Sequence, residues 1–185
     1  FAVDMALSGD IITPELKKPG NKLVWLRIER DGDDLPVYGQ VMDQYEKLIG
    51  DIRDGRVVSA YALDRHGVIA AVSRMAFGNR MGVKLEHNMD PRDLFAPAFG
   101  DIIAEVEDGQ AGSLQITYTV IGEVTKTDAF EYGNVRIGMQ EAVDAWTGTL
   151  EKVFATKSGE NRDEPIGDKL YDADSIHICS HKIGQ

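Results

Sequence analysis

The stretch from Val57 to Gly82, VVSAYALDRHGVIAAVSRMAFGNRMG, changes its hydrophobic period halfway along, and that change limits the folds open to the chain. The first part is β-branched and alternates, which predicts a strand over Arg56–Leu63. The second part predicts a helix over Gly67–Phe77, with Val68, Ile69, Val72, Met75 and Ala76 on its buried face. Between them lies the polar turn Asp64-Arg65-His66-Gly67. The first N–H groups of a helix lack intrahelical partners and sit at the positive end of its dipole, so a turn there favours anions. Arg65 and His66 occupy that place in an otherwise acidic chain. The turn is either a solvated strand-to-helix connection or a phosphate-facing loop, and the residues alone leave both open.

The flanking segments build an α+β pattern around this stretch. Phe1–Asn21 has turn residues and few periodic apolar positions, so it reads as an extended entry segment. Lys22–Arg30 alternates and predicts a central strand ended by Asp31-Gly32-Asp33-Asp34. From Tyr38 to about Asp54 one helical stripe runs through Tyr38, Val41, Met42, Tyr45, Leu48, Ile49 and Ile52, with Gly55 as its C-cap. That stripe suits core packing rather than a partner groove. Gly78-Asn79 is expected to stop the next helix, before a short strand at Val83–His87. Asp90-Pro91 is a turn, with one helical turn over Arg92–Phe95, and Asp101–Glu107 is another strand. Leu114–Val124 is the most β-like run, broken by Gly122, and Ala129–Tyr132 is expected to pair with it. A last helix is predicted from Arg136 to Phe154 through Ile137, Met139, Val143, Trp146, Leu150 and Val153. This order points to a mixed, largely antiparallel sheet with helices against it.

After Phe154 the composition shifts. Thr156–Lys169 is nearly devoid of apolar residues and reads as a linker, and Ser175–Ile183 alternates as a final strand. The expected division is therefore a domain over 1–155 and a linker with a strand over 156–185. The opening at Phe1 and the end just after a strand-like segment are those expected of a piece of a longer polypeptide.

Charge and composition exclude some classes of function. The formal net charge of −11 argues against a general nucleic-acid binder, whose affinity rests on a basic surface. A content of 43% hydrophobic and 28% charged residues is that of a globular domain rather than a disordered chain. No apolar run approaches the roughly 20 residues that span a bilayer, and no signal-peptide pattern is present. The single cysteine, Cys179, rules out an internal disulfide framework and is compatible with a reducing compartment, so a cytoplasmic location is expected.

Two clusters are candidates for chemistry. His177, Cys179 and His181 would share one strand face and supply nitrogen and sulfur ligands for zinc, but side chains along one strand diverge too far to close a tetrahedron alone. An exposed strand face is the alternative, and no metal site is expected. Asp101, Glu105 and Glu107 share a face and are suited to acid–base work or Mg²⁺, or else to a solvated surface. No GxxxxGK[ST], GxGxxG or GxSxG motif occurs. No catalytic residue is assigned.

Several segments together carry a resemblance. FAVDMALSGDIITPELKKPGNKLVWL, SAYALDRHGVIAAVSRMAFGNRMG, YTVIGEVT and WTGTLEKVF resemble the C-terminal type of domain of the aminoimidazole ribonucleotide synthetase superfamily, in particular the large single-chain phosphoribosylformylglycinamidine synthases. The resemblance covers nearly the whole chain, with GNKLVWL and MAFGNRMG carrying most of the weight. It implies a three-layer α/β/α unit, partly ferredoxin-like. It also implies membership in an enzyme that uses glutamine and ATP with Mg²⁺ to convert formylglycinamide ribonucleotide to its amidine in purine biosynthesis. The implied partners are synthetase-type domains before this one and a glutaminase domain after it, with LYDADSIHICSHKIGQ leading toward the latter. The main catalytic units would lie in those domains, leaving this piece inactive alone and without bound cofactor.

Many members of that family have Ser-Asp-Gly-Gly between the strand and the helix, helping to form a phosphoribosyl or nucleotide site. Here Asp64, Arg65, His66 and Gly67 stand at those positions, and only Gly67 is retained. An acidic contact to metal or ribose is therefore unsupported. Either a basic loop meets phosphate directly, or this is the structural copy in an internally duplicated enzyme.

Overall fold

The computed structural model describes residues 5–87, 89–151 and 153–154. The chain divides into two compact units, Phe1–Trp146 and Thr147–Gln185, and nearly all described residues belong to the first. The seven strands are β1 (Lys22–Leu26), β2 (Val57–Ala62), β3 (Gly82–Leu85), β4 (Ile102–Val106), β5 (Thr119–Thr125), β6 (Ala129–Tyr132) and β7 (Val135–Gly138). They form one sheet in the order β2-β4-β1-β5-β3-β6-β7. Every pairing is antiparallel except that of β3 with β6, so the sheet is mixed and largely antiparallel. Four α-helices accompany it: α1 (Tyr38–Arg53), α2 (Gly67–Asn79), α3 (Pro91–Phe95) and α4 (Met139–Thr147).

The alternation of β1 sets the layers. Leu23 and Trp25 face the helix α2 and join Val68, Val72, Met75 and Ile103 in the larger core. Val24 and Leu26 face the other way and pack with Leu48 of α1, Val57, Ala104 and Val106. Helices thus cover both faces of an α+β fold; the order of elements implied helices against a mixed sheet, and the resemblance implied three layers. As expected, β1 is interior to the sheet, between β4 and β5. The described part of the entry segment is extended apart from one 3-10 turn at Ser8–Asp10, and it is stitched to the α2 side, where Leu16 N–H donates to Met75 O at 2.9 Å and the Asn79 amide donates to Leu16 O at 2.8 Å.

Five expectations need correction. Helix α1 spans the predicted residues, but Tyr38, Met42 and Ile49 are exposed, while Gln44 and Asp51 are buried. The reason lies in residues 114–118, which are not strand. Gln115 and Ile116 donate their N–H groups to the Asp51 carboxylate and Thr117 donates to Gln44 Oε1, so the backbone is satisfied by the helix instead of a ladder. These bonds roll α1 toward the loop and turn one flank of its apolar stripe outward.

Gly122 does not break β5. It sits where the β1–β5 register shifts between Leu23 and Val24, and a Cβ there would come within 2.4 Å of Lys84 O on β3. It is the residue that admits both neighbours at a bulge. Next, β6 pairs with β3 and β7, not with β5. Finally, residues 135–138 are strand rather than helix, because the two-residue loop Gly133-Asn134 closes a hairpin with Tyr132 opposite Val135. Helix α4 begins only at Met139. The predicted strand at Ser175–Ile183 and the linker before it lie outside the described residues.

Candidate functional site

The turn after β2 is closed upon itself. Asp64 Oδ1 accepts the His66 backbone N–H at 2.8 Å and lies 3.0 Å from His66 Nδ1. Arg65 Nε donates to His66 Nε2 at 3.2 Å, which places the ring proton on Nδ1, facing Asp64. Asp64 Oδ2 accepts from Arg74 Nη1 at 3.2 Å, and the same nitrogen donates to Tyr61 Oη at 2.8 Å. The carboxylate of Asp64 therefore stands at the start of α2 where an external anion would sit. The His66 N–H, above all, holds this carboxyl below its ordinary value, with the His66 ring and Arg74 adding to it against some desolvation.

Gly67 is the buried hinge of this arrangement. It adopts φ +72°, and a Cβ would fall 2.7 Å from Ala96 O and 2.8 Å from Leu94 O. The segment after α3 thus lies directly against the start of α2, with Ala98 N–H donating to Asp64 O at 3.2 Å. Helix α3 is fixed locally by Asp90, whose carboxylate caps Arg92 N–H at 2.8 Å with Pro91 in the first turn.

Beside the turn is a hollow of about 470 Å³, lined by His66 of the turn, by Ser73, Arg74 and Phe77 of α2 and by Trp146 of α4. Trp146 stacks on Phe77 with ring centroids 5.2 Å apart. Sequence reasoning singled out Asp64, Arg65, His66 and Gly67 but missed Arg74, which binds Asp64, and Tyr61, which accepts from the same Arg74 nitrogen. A signal was available: His66, Ser73, Arg74 and Phe77 recur at helical spacing and form a partly polar stripe on a helix read only for its apolar face.

The second candidate cluster is dispersed by its environment. Glu105 is fully buried, its carboxylate accepting Lys17 N–H at 2.8 Å, Lys18 N–H at 3.0 Å and the Asn21 amide at 2.7 Å. Asp101 is buried too and accepts the Trp25 indole N–H at 2.8 Å and Ile28 N–H at 3.1 Å. Burial raises the Asp101 carboxyl above its ordinary value, opposed by the Ile28 and Trp25 donors. Only Glu107 is exposed. Neither reading of this face holds for Asp101 and Glu105: they terminate backbone donors, and all their oxygens are engaged by protein. No group of three or more His, Cys, Asp or Glu side chains suited to a metal ion occurs among the described residues. His177, Cys179 and His181 lie outside them.

The chain shares its fold with part of several solved PurL proteins. It is similar to PurL of Thermotoga maritima complexed with ATP, with a TM-score of 0.60 and 16% identity over 73% of this chain and 27% of that one. Similar too are phosphoribosylformylglycinamidine synthase II of Thermotoga maritima, with a TM-score of 0.60 and 16% identity over 73% and 28% of the two chains, and PurLQS of the same organism, with a TM-score of 0.61 and 16% identity over the same shares. The chain spans little more than a quarter of the length of these proteins, and at this identity the likeness is one of fold. No protein-family model matches the sequence.

Proposed function

We propose that this chain is a domain of a phosphoribosylformylglycinamidine synthase, the ligase that joins glutamine-derived ammonia to formylglycinamide ribonucleotide with consumption of ATP. The observation that supports the reading is a fold shared over 73% of the chain with proteins of that name, one of them complexed with FGAR and others with ATP or ADP. On this reading, ATP and Mg²⁺ act in the parent enzyme, the synthetase-type and glutaminase domains of the same polypeptide are the partners, and the setting is cytoplasmic. Residues 1–155 form the domain, and 156–185 lead toward the glutaminase. Among the described residues no helix is long and apolar enough to cross a membrane.

Within that enzyme the domain is the structural copy rather than a catalytic one. The arrangement favouring this is the closed turn, in which Asp64 takes the His66 N–H and binds Arg74, while Arg65 and His66 are turned toward each other. A turn that met phosphate would offer those donors outward. In the parent enzyme, Arg65→Ala is expected to leave the KM for formylglycinamide ribonucleotide within about twofold, since an exposed side chain outside the site contributes little. A rise of about tenfold or more with kcat preserved would overturn the structural role and mark the turn as a phosphate contact.

A further inference from the structure

Among the described residues, one flank of α1 leaves apolar surface without cover. At about 100° per residue, Tyr38, Met42 and Ile49 lie within roughly 40° of each other around the helix. They are 72%, 59% and 44% exposed. Leu35, also exposed, precedes the helix, and Tyr45 Oη donates to Gly100 O at 2.6 Å, which brings the exposed Phe99 toward the same flank. The roll imposed by Gln44 and Asp51 created this surface, and nothing in the domain's own core requires it.

The surrounding charge is one-sided. Lys47 is engaged with Asp43, Arg53 with Asp10 and Arg30 with Asp34. Asp33 and Glu46 have no basic partner among the described residues, so carboxylates are in excess around the apolar stripe. Contiguous exposed apolar groups rimmed by one charge mark interaction surfaces rather than ordinary solvated ones. The fold recurs as little more than a quarter of much longer chains, so further domains are at hand to cover it.

We infer that this flank of α1 is the surface by which the domain packs against another domain of its own polypeptide, one that presents apolar side chains ringed by lysine and arginine. The inference rests on the functional reading above. Interfaces of this kind pair a desolvated apolar centre with a polar, charge-complementary rim.

Peroxide oxidation of the parent polypeptide, read methionine by methionine by mass spectrometry, tests it, because a covered thioether is shielded from oxidant. Met42 is expected to oxidise at least about tenfold more slowly than free methionine, at all protein concentrations. Oxidation within about twofold of the free rate overturns the inference, as does protection that vanishes on dilution, which would assign the cover to a second copy. Met42→Glu, placed where the domain itself leaves the side chain exposed, is expected to lower the thermal midpoint of the parent by several degrees; an unchanged midpoint also overturns it. A parent sequence lacking synthetase-type and glutaminase domains would sink the functional reading itself. With those domains present and Met42 freely oxidised, only the inference fails.

Discussion

Gly67 is buried at a left-handed backbone position, and its environment explains why no other residue stands there. At φ +72° an L side chain pays roughly 1–2 kcal/mol for a left-handed backbone. A methyl group would also press on the carbonyls of Leu94 and Ala96, an overpacking cost of about 1–3 kcal/mol. Gly67→Ala should therefore lower the unfolding free energy by about 3 kcal/mol, measured by urea denaturation; a loss under about 0.5 kcal/mol would show that the segment after α3 does not bear on the turn. Asp101 gives a second test, one of sign. Its folded pKa is raised above the ordinary 3.8 by burial, so the folded state holds the proton more tightly than the unfolded one. That contribution is fully present below the unfolded pKa and is lost as pH rises through the folded value. Against Asp101→Asn, which does not titrate, the wild type should gain relative stability as pH falls from about 7 toward about 4. A difference that stays flat, or moves the other way, would contradict the assignment of burial as the dominant cause.

Helix α1 shows how a polar pair decides the placement of a whole element. Asp51 accepts from Gln115 N–H at 3.0 Å, from Ile116 N–H at 3.4 Å and from Arg56 Nε at 2.9 Å, and it is fully buried. Asp51→Ala strands these donors at a cost of roughly 2–4 kcal/mol. The Gln115 and Ile116 amides should then exchange hydrogen much faster than in the wild type, well ahead of the β5 amides. Equal acceleration throughout the domain would instead report global unfolding. The same pair accounts for what could and could not be read beforehand. The existence of α1 and α2 was legible, since a 3.6-residue period over a dozen or more positions has no competing interpretation. The roll of α1 was not, because the acceptors for residues 115–117 come from a helix more than sixty positions earlier. The β-like composition of residues 114–118 was real, but composition does not reveal that a side chain will take the place of a neighbouring strand. Likewise, the apolar Ile137 stands just before Met139 and Val143 and reads as the start of their helix, whereas the Gly133-Asn134 loop pairs it with Phe130 across a hairpin.

At the scale of the molecule, the candidate site was half legible. The turn lay where the period changed, but its self-closure depends on Arg74 and Tyr61, which no local motif brings together. The two carboxylates that looked most suited to chemistry, Asp101 and Glu105, are spent on fixing β1 and the entry segment. Acid–base catalysis needs a titratable group within reach of substrate, and groups enclosed and saturated in this way have no such access. An ATP site needs phosphate-directed donors, yet the N–H at the start of α2 nearest the turn is already held by Asp64. The 185-residue chain by itself is therefore expected to hydrolyse neither ATP nor glutamine above the uncatalysed background. On the function proposed above, the parent polypeptide should turn over both when formylglycinamide ribonucleotide is supplied. Phosphate release and glutamate formation, followed side by side for the two proteins, make the comparison. ATP turnover by the isolated chain, retained in Arg74→Ala, would place a catalytic site elsewhere in the domain; turnover abolished by that substitution would place it at the turn, and either result would remove the structural role assigned to this copy of the fold.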